Sequence, residues 1–240
     1  MADRRSVFIG AAAALVGASA KAATDAPLFV SGPMSRNALA TSFKAPSAAL
    51  VLPDTPLLSE HGPQKLSQLR GCTYIVSLWA GWCTPCLAEA TDLAAINRTH
   101  GGPSFGVIFV LTQSDKKLDL AGAQAVLNQH GAGDTTLFVE PSGGSKIISA
   151  LASHDYDAQT REITKQASGV SLPCNLLVDR HGAVLARSFG VPTISSVTSG
   201  MSSMRTLTDA DKARVLTKHT LWASPVGSEF AAALAAGLVA

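Results

Sequence analysis

The run Thr73–Ala80 (TYIVSLWA) leads through Gly81-Trp82 into Cys83-Thr84-Pro85-Cys86, and from Pro85 to His100 the apolar residues fall at helical spacing. No other stretch constrains the fold as tightly. A near-continuous apolar, β-rich run is the pattern of a strand covered on both faces. Pro85 suits a first helical turn, which needs no backbone donor from it, and Gly101-Gly102 ends the helix. Leu87, Ala90, Leu93 and Ala94 supply its buried stripe. Phe105–Leu111 (FGVIFVL) is a second buried strand. Strand, helix and strand at this spacing predict a βαβ unit with a right-handed crossover.

The pattern continues with a helix over Leu118–His130, which turns Leu120, Ala123 and Leu127 inward and stops at Gly131. A strand over Thr135–Glu140 and a short helix over Lys146–Ala152 follow. Asp179-Arg180-His181-Gly182 is turn chemistry between Asn175–Asp179 and Ala183–Phe189, which predicts a hairpin. Thr208 with Asp211 resembles a helix start, and a last helix from Ser224-Pro225 should carry Phe230, Leu234 and Leu238 inward. Upstream, short extended segments are expected around Ser42–Lys44 and Leu50–Leu52, before the turn Pro53-Asp54-Thr55-Pro56. The fold class is α/β: a central mixed β-sheet flanked by helices, with extra N-terminal strands and a C-terminal extension.

The N-terminus reads as an address. Arg4 and Arg5 precede an apolar run, Val7–Ala18, and Ala20-Lys21-Ala22 offers the small residues of a cleavage site. The run is short of the about 20 apolar residues that span a bilayer. The paired arginines resemble a twin-arginine signal with imperfect spacing. The expected organisation is a signal peptide over 1–22, a flexible tether over 23–41, and one domain over 42–240 with insertions near 153–168 and 193–221. A cleaved signal and a periplasmic location are expected; a retained membrane tether is the lesser alternative. With a net charge of +2 and no basic stripe interleaved with aromatics, nucleic acid is a poor partner.

Two of the four cysteines sit in one CxxC, which points to chemistry rather than scaffolding. Two thiols so spaced can close a small ring when the turn leads into a helix. The first then lies at the helix N-terminus, where unpaired N–H groups and the dipole favour an anion. Cys83 is therefore expected to be an accessible thiolate nucleophile, with a pKa below its ordinary value of about 8.5, and Cys86 the shielded resolving thiol. Structural zinc would need a second cysteine pair or matched histidines, whereas Cys72 and Cys174 are lone. No metal site and no cofactor are expected.

Leu69-Arg70-Gly71 followed by YIVSLWAGWCTPCLAE resembles the TlpA/ResA branch of thioredoxin-like proteins, bacterial extracytoplasmic disulfide reductases. Gly169–Asp179 (GVSLPCNLLVD), with His181-Gly182 beyond it, carries the second half of that likeness. The resemblance spans roughly Ser42 to Phe189 and implies a thioredoxin-like fold in which Pro173 is a cis-proline facing the active disulfide. The backbone of Leu172 would then be free to pair with an extended client beside Trp82 and Cys83. By the same resemblance Glu89, three positions beyond Cys86, influences thiol pKa values and proton transfer. Pattern alone would make Glu89 a solvated first-turn acid.

There are departures from the family. Ser77 stands where ordinary thioredoxins have a buried acid, Ala90 replaces a usual proline, and Cys174 follows Pro173 where threonine or serine is normal. Cys174 is either a third redox thiol or a small apolar core residue. Cys72 opens the strand that ends near the CxxC. About ten strand residues at ~3.3 Å each would part it from Cys174, too far for a disulfide.

The leading reading is a monomeric reductase of disulfide-containing client proteins, recharged by a membrane thiol donor. An oxidase is the nearest rival, although Thr84-Pro85 resembles the dipeptide of reducing members. A copper-site assembly factor is the alternative from another class, with Met201 and Met204 as thioether ligands beside the thiolates. His154, Asp155 and Asp157 lack a partner motif and read as a solvated loop, and Arg187 and Lys218 as surface residues.

Overall fold

The computed structural model describes residues 26–29, 31–46, 50, 54–113, 118–141, 147, 172–189 and 220–238. In chain order the elements are β1 (Ala26–Pro27), β2 (Lys44–Ala45), β3 (Thr73–Ala80), α1 (Thr84–His100), β4 (Phe105–Gln113), α2 (Leu120–Gln129), β5 (Thr136–Val139), β6 (Cys174–Val178), β7 (Val184–Phe189) and α3 (Pro225–Ala235). The strands form one mixed sheet in the order β1-β2-β7-β6-β3-β4-β5. β3, β4 and β5 run parallel. β6 pairs antiparallel with β3 and with β7. The α/β thioredoxin-like architecture expected from the sequence is the one observed, with the extra strands β1 and β2 on one flank.

Alternation along the strands sorts side chains onto two faces. Ile75 and Trp79 of β3, Val107 and Phe109 of β4 and Leu177 of β6 join Ala90, Leu93 and Ala94 of α1 and Phe230 and Leu234 of α3 in one core. Val76, Leu78, Ile108, Val110, Cys174 and Leu176 point to the other face. β3 has the bounds read from its sequence, and α1 starts one residue before them. α2 starts at Leu120 because Asp119 caps it, its Oδ1 accepting from Gly122 N at 2.8 Å.

Three expectations need correction. Part of the supposed tether, 31–41, is packed structure: Met34, Leu39 and Ala40 are buried in the α1-side core. Asn37 fixes this segment, its Oδ1 accepting from Leu39 N and Ala40 N and its Nδ2 donating to Val226 O of α3 at 2.9 Å. Arg187 is buried rather than on the surface, since β7 is an interior strand with β2 on one side and β6 on the other. Leu238 is exposed, because Gly237, at φ +88°, turns the chain away after α3 ends. The readings at 1–22, 148–152, His154, Asp155, Asp157, Met201, Met204, Thr208, Asp211 and Lys218 lie outside the described residues.

The C-terminal segment is bound tightly to α1. Asp92 Oδ2 accepts from both the backbone N and Oγ1 of Thr220, each at 2.8 Å. His100 Nε2 and Ser228 Oγ are 2.9 Å apart. Phe43, Trp222 and Phe230 pack with ring centroids 5.5–6.3 Å apart, close enough for aromatic contact.

Candidate active site

β3 delivers the chain to the site at Ala80, whose carbonyl accepts from Cys83 N at 3.0 Å. Gly81 lies between them, and a Cβ there would push the Leu118 side chain aside. Cys83 is the N-cap of α1, and its Sγ accepts from Cys86 N at 3.3 Å. Leu87 N donates to Cys83 O at 3.2 Å, which closes the first helical turn. Cys83 and Cys86 form a disulfide with Cα atoms 5.3 Å apart. The first cysteine therefore sits at the positive end of the helix dipole, as its sequence position required.

The expected contrast in access between the two sulfurs is absent from this oxidised state. Cys83 is 4% exposed and Cys86 3%. Both cysteines belong to the α1-side core, so position in the turn rather than exposure tells them apart. Trp82, directly before Cys83, is 62% exposed and offers a large apolar surface at the site.

The Leu172–Pro173 bond is cis, as the resemblance implied. The β3–β6 ladder ends at Leu78↔Cys174. Extending that register sets Pro173 level with Trp79 and Leu172 level with Ala80, at the strand end from which Trp82 and Cys83 depart. Leu172 thus lies past the last paired residue of the ladder.

Glu89 differs most from its sequence pattern. It is 0% exposed, not a solvated acid. It follows Cys86 by three positions, on the same side of α1. Its Oε1 accepts from Trp222 Nε1 at 2.8 Å and from Asn175 Nδ2 at 2.9 Å. Oε2 has no hydrogen-bond partner among the described residues. Burial raises the carboxyl pKa most; the two donated hydrogen bonds lower it and the nearby Asp92 raises it again, leaving it at about 8. Ser77, buried and directly across from Asn175, leaves β3 without an acid. The buried carboxyl on this face of the sheet comes from α1 instead.

Cys174 carries a thiol rather than a disulfide, and it points to the face opposite α1 and the Cys83–Cys86 pair. The register leaves six strand residues, about 20 Å, between Cys72 and Cys174 rather than ten. The two are not bonded. Burial raises the Cys72 thiol above its ordinary pKa. We expect Cys174→Ala to leave the rate of client disulfide reduction within about twofold, a change of under ~0.5 kcal/mol in barrier. A drop of ten-fold or more in that assay would make Cys174 a working thiol.

The cysteines, Trp82, Leu172, Pro173 and Glu89 were singled out from the sequence; Asn175, Trp222 and the Asp92–Thr220 pair, which the structure sets against Glu89 and α1, were not. Asn175 was visible as the one polar residue in the strand CNLLV. Trp222 left no local signal. Among the described residues no three His, Cys, Asp or Glu side chains gather as a metal-holding group.

The Redoxin family model matches residues 40–234. A solved structure from Chlorobium tepidum, titled a putative thiol:disulfide interchange protein DsbE, is 19% identical, covers 72% of this chain and 99% of its own, and superposes with a TM-score of 0.44. StoA from Bacillus subtilis is 15% identical over 59% of this chain and 90% of its own, with a TM-score of 0.39. A putative protein disulfide isomerase from Bacteroides thetaiotaomicron is 20% identical over 59% and 79%, with a TM-score of 0.44. Likenesses of this size assign no role to any residue.

Proposed function

Because the chain belongs to the Redoxin family and is a thiol–disulfide oxidoreductase of thioredoxin-like fold, we propose that it is an exported reductase of disulfides in client proteins. The observation that carries this reading is the Cys83–Cys86 pair at the opening of α1, with Leu172 past the end of the β3–β6 ladder and the exposed ring of Trp82 next to Cys83 in the chain.

In the working cycle the reduced Cys83 thiolate attacks one sulfur of a client disulfide. The client's other sulfur leaves as a thiolate and takes a proton, and a mixed disulfide forms. Cys86 then gives its proton to the Glu89 carboxylate and attacks the Cys83 sulfur. The Cys83–Cys86 disulfide forms, and the client leaves with both sulfurs reduced. The two electrons lost by the cysteine pair are the two that the client gains. A thiol donor, on this reading a membrane protein, reverses the sequence. Its thiolate attacks Cys83, and Cys86 leaves as a thiolate and recovers the proton from Glu89. A client strand lying along Leu172 would pair with its backbone while covering Trp82.

Export is supported by Arg4-Arg5, the apolar run from Val7 and Ala20-Lys21-Ala22, and by the persistence of disulfide substrates in oxidising compartments.

The reduction potential of the Cys83–Cys86 pair tests the direction of transfer. Equilibration against a glutathione or dithiothreitol ladder should give a value below about −260 mV, under the extracted glutathione range of about −220 to −260 mV. A value near about −120 mV, that of a strong oxidant, would make the protein an oxidase.

A further inference from the structure

Glu89 has no intrinsic reason to keep one orientation, since its side chain is long and none of its buried neighbours on α1 is a cation that would pin its carboxylate. Two donors remove that freedom. Asn175 comes from β6 and Trp222 from the 3₁₀ turn Leu221–Ala223, and both address the same oxygen, Oε1. The turn is itself held to α1 by Thr220 on Asp92, and Trp222 N donates to Thr220 Oγ1 at 3.2 Å. The indole is thus fixed by its backbone, by the Phe43 and Phe230 rings and by its bond to Glu89. The other oxygen, Oε2, is buried and has no hydrogen-bond partner among the described residues.

Resting on the role given above to Glu89, we infer that Trp222 is a positioning residue, which ties up Oε1 from the C-terminal segment and leaves Oε2 as the oxygen that exchanges a proton with Cys86. Trp222 does not itself touch the sulfurs in this account. It acts by fixing which oxygen is available and by favouring the ionised carboxylate, because a donated N–H stabilises the charged form.

Among the described residues, few other groups surround Glu89 to control its titration. Asp92 on α1 raises its pKa, and Cys86 lies one turn away. β4 carries no titratable side chain, and Leu221–Ala223 adds none. The one acid of α3, Glu229, is exposed and meets Asn37. On β6, Cys174 points to the opposite face of the sheet.

The test uses the full-length oxidised protein and follows two quantities. One is the titration midpoint of the Glu89 side-chain carboxyl carbon by NMR. The other is the pH profile for reduction of Cys83–Cys86 by dithiothreitol, divided by its thiolate fraction. Glu89→Gln should remove the alkaline fall in that profile. Trp222→Phe, which keeps an aromatic ring against Phe43 and Phe230, should raise the Glu89 midpoint by about one pH unit and carry the alkaline limb with it. That shift is about a tenfold loss of carboxylate at pH 7. In the unsubstituted protein the Trp222 indole N–H resonance should titrate with the same midpoint as the Glu89 carbon, which requires no variant to fold. If Glu89→Gln removes the limb while Trp222→Phe leaves the midpoint in place, or the indole resonance is blind to the titration, the role of Trp222 is overturned. If Glu89→Gln itself leaves the limb intact, the failure lies with the proton role of Glu89.

Discussion

Cys83→Ser should reduce turnover of a disulfide-bonded client to the background reaction, a loss on the order of 10³-fold or more, given the rate enhancements typical of enzymes. The substitution separates chemistry from folding unusually well. Serine is among the best N-cap residues, and its oxygen can accept from Cys86 N where the sulfur does now. The start of α1 should therefore survive while the nucleophile is gone. Cys86→Ser should behave differently: attack by Cys83 proceeds, resolution does not, and the client accumulates as a mixed disulfide. Mass spectrometry of protein incubated with an oxidised client would detect the covalent adduct with Cys86→Ser and none with Cys83→Ser. Adduct formation in the reverse pattern would exchange the roles of the two cysteines. Full turnover by Cys83→Ser would remove the cysteine pair from the chemistry.

Glu89→Gln should produce the largest change in how stability depends on pH. The carboxyl is protonated in the folded oxidised protein up to about pH 8 and in the unfolded chain only below its ordinary 4.5. Between these values the folded state binds more protons than the unfolded state, so stability falls as pH rises. The favourable contribution is complete below pH 4.5 and lost by about pH 8. At about 1.4 kcal/mol per pH unit, Glu89 costs the oxidised fold roughly 3 kcal/mol at pH 7. Glutamine keeps an acceptor for Trp222 and Asn175 and does not ionise. Denaturant midpoints of the two oxidised proteins should therefore agree near pH 4.5 and diverge towards pH 8, with the variant the more stable. Parallel curves across that window would show that Glu89 is not the buried acid described. Reduction of clients by the same variant should slow about 10²-fold at pH 7, within the usual range for removal of a general base.

A buried carboxyl whose ionisation destabilises its fold also marks where sequence patterning fails. Thr73–Ala80 was legible because both faces of β3 are covered, so no polar residue had to interrupt the run except Ser77. The α1 stripe was legible at Ala90, Leu93 and Ala94. Glu89 and Asp92 share its buried side, and a hydrophobic-period reading assigns such residues to water. Their burial becomes comprehensible only with Trp222 and Thr220, whose partners on α1 are 133 and 128 positions away in the chain. Composition could not foresee that pairing. Arg187 misled for a related reason: nothing local said that β2 would add to β7 and make it interior. The stretch ahead of β2 reads as a linker by its Ala, Ser, Pro and Gly content. Its docking depends on single residues such as Asn37 and Phe43 meeting α3 and Trp222.

The hydrogen bond from Trp222 to Glu89 has a consequence for biogenesis. The donor is made 133 positions after the acceptor, which at ~5–20 residues per second is a delay on the order of ten seconds. A nascent chain thus presents Cys83, Cys86 and Glu89 well before the ring that bonds Glu89 exists. Until the last helix arrives, the thiols belong to an unfinished catalyst, open to oxidation or to capture by the wrong partner.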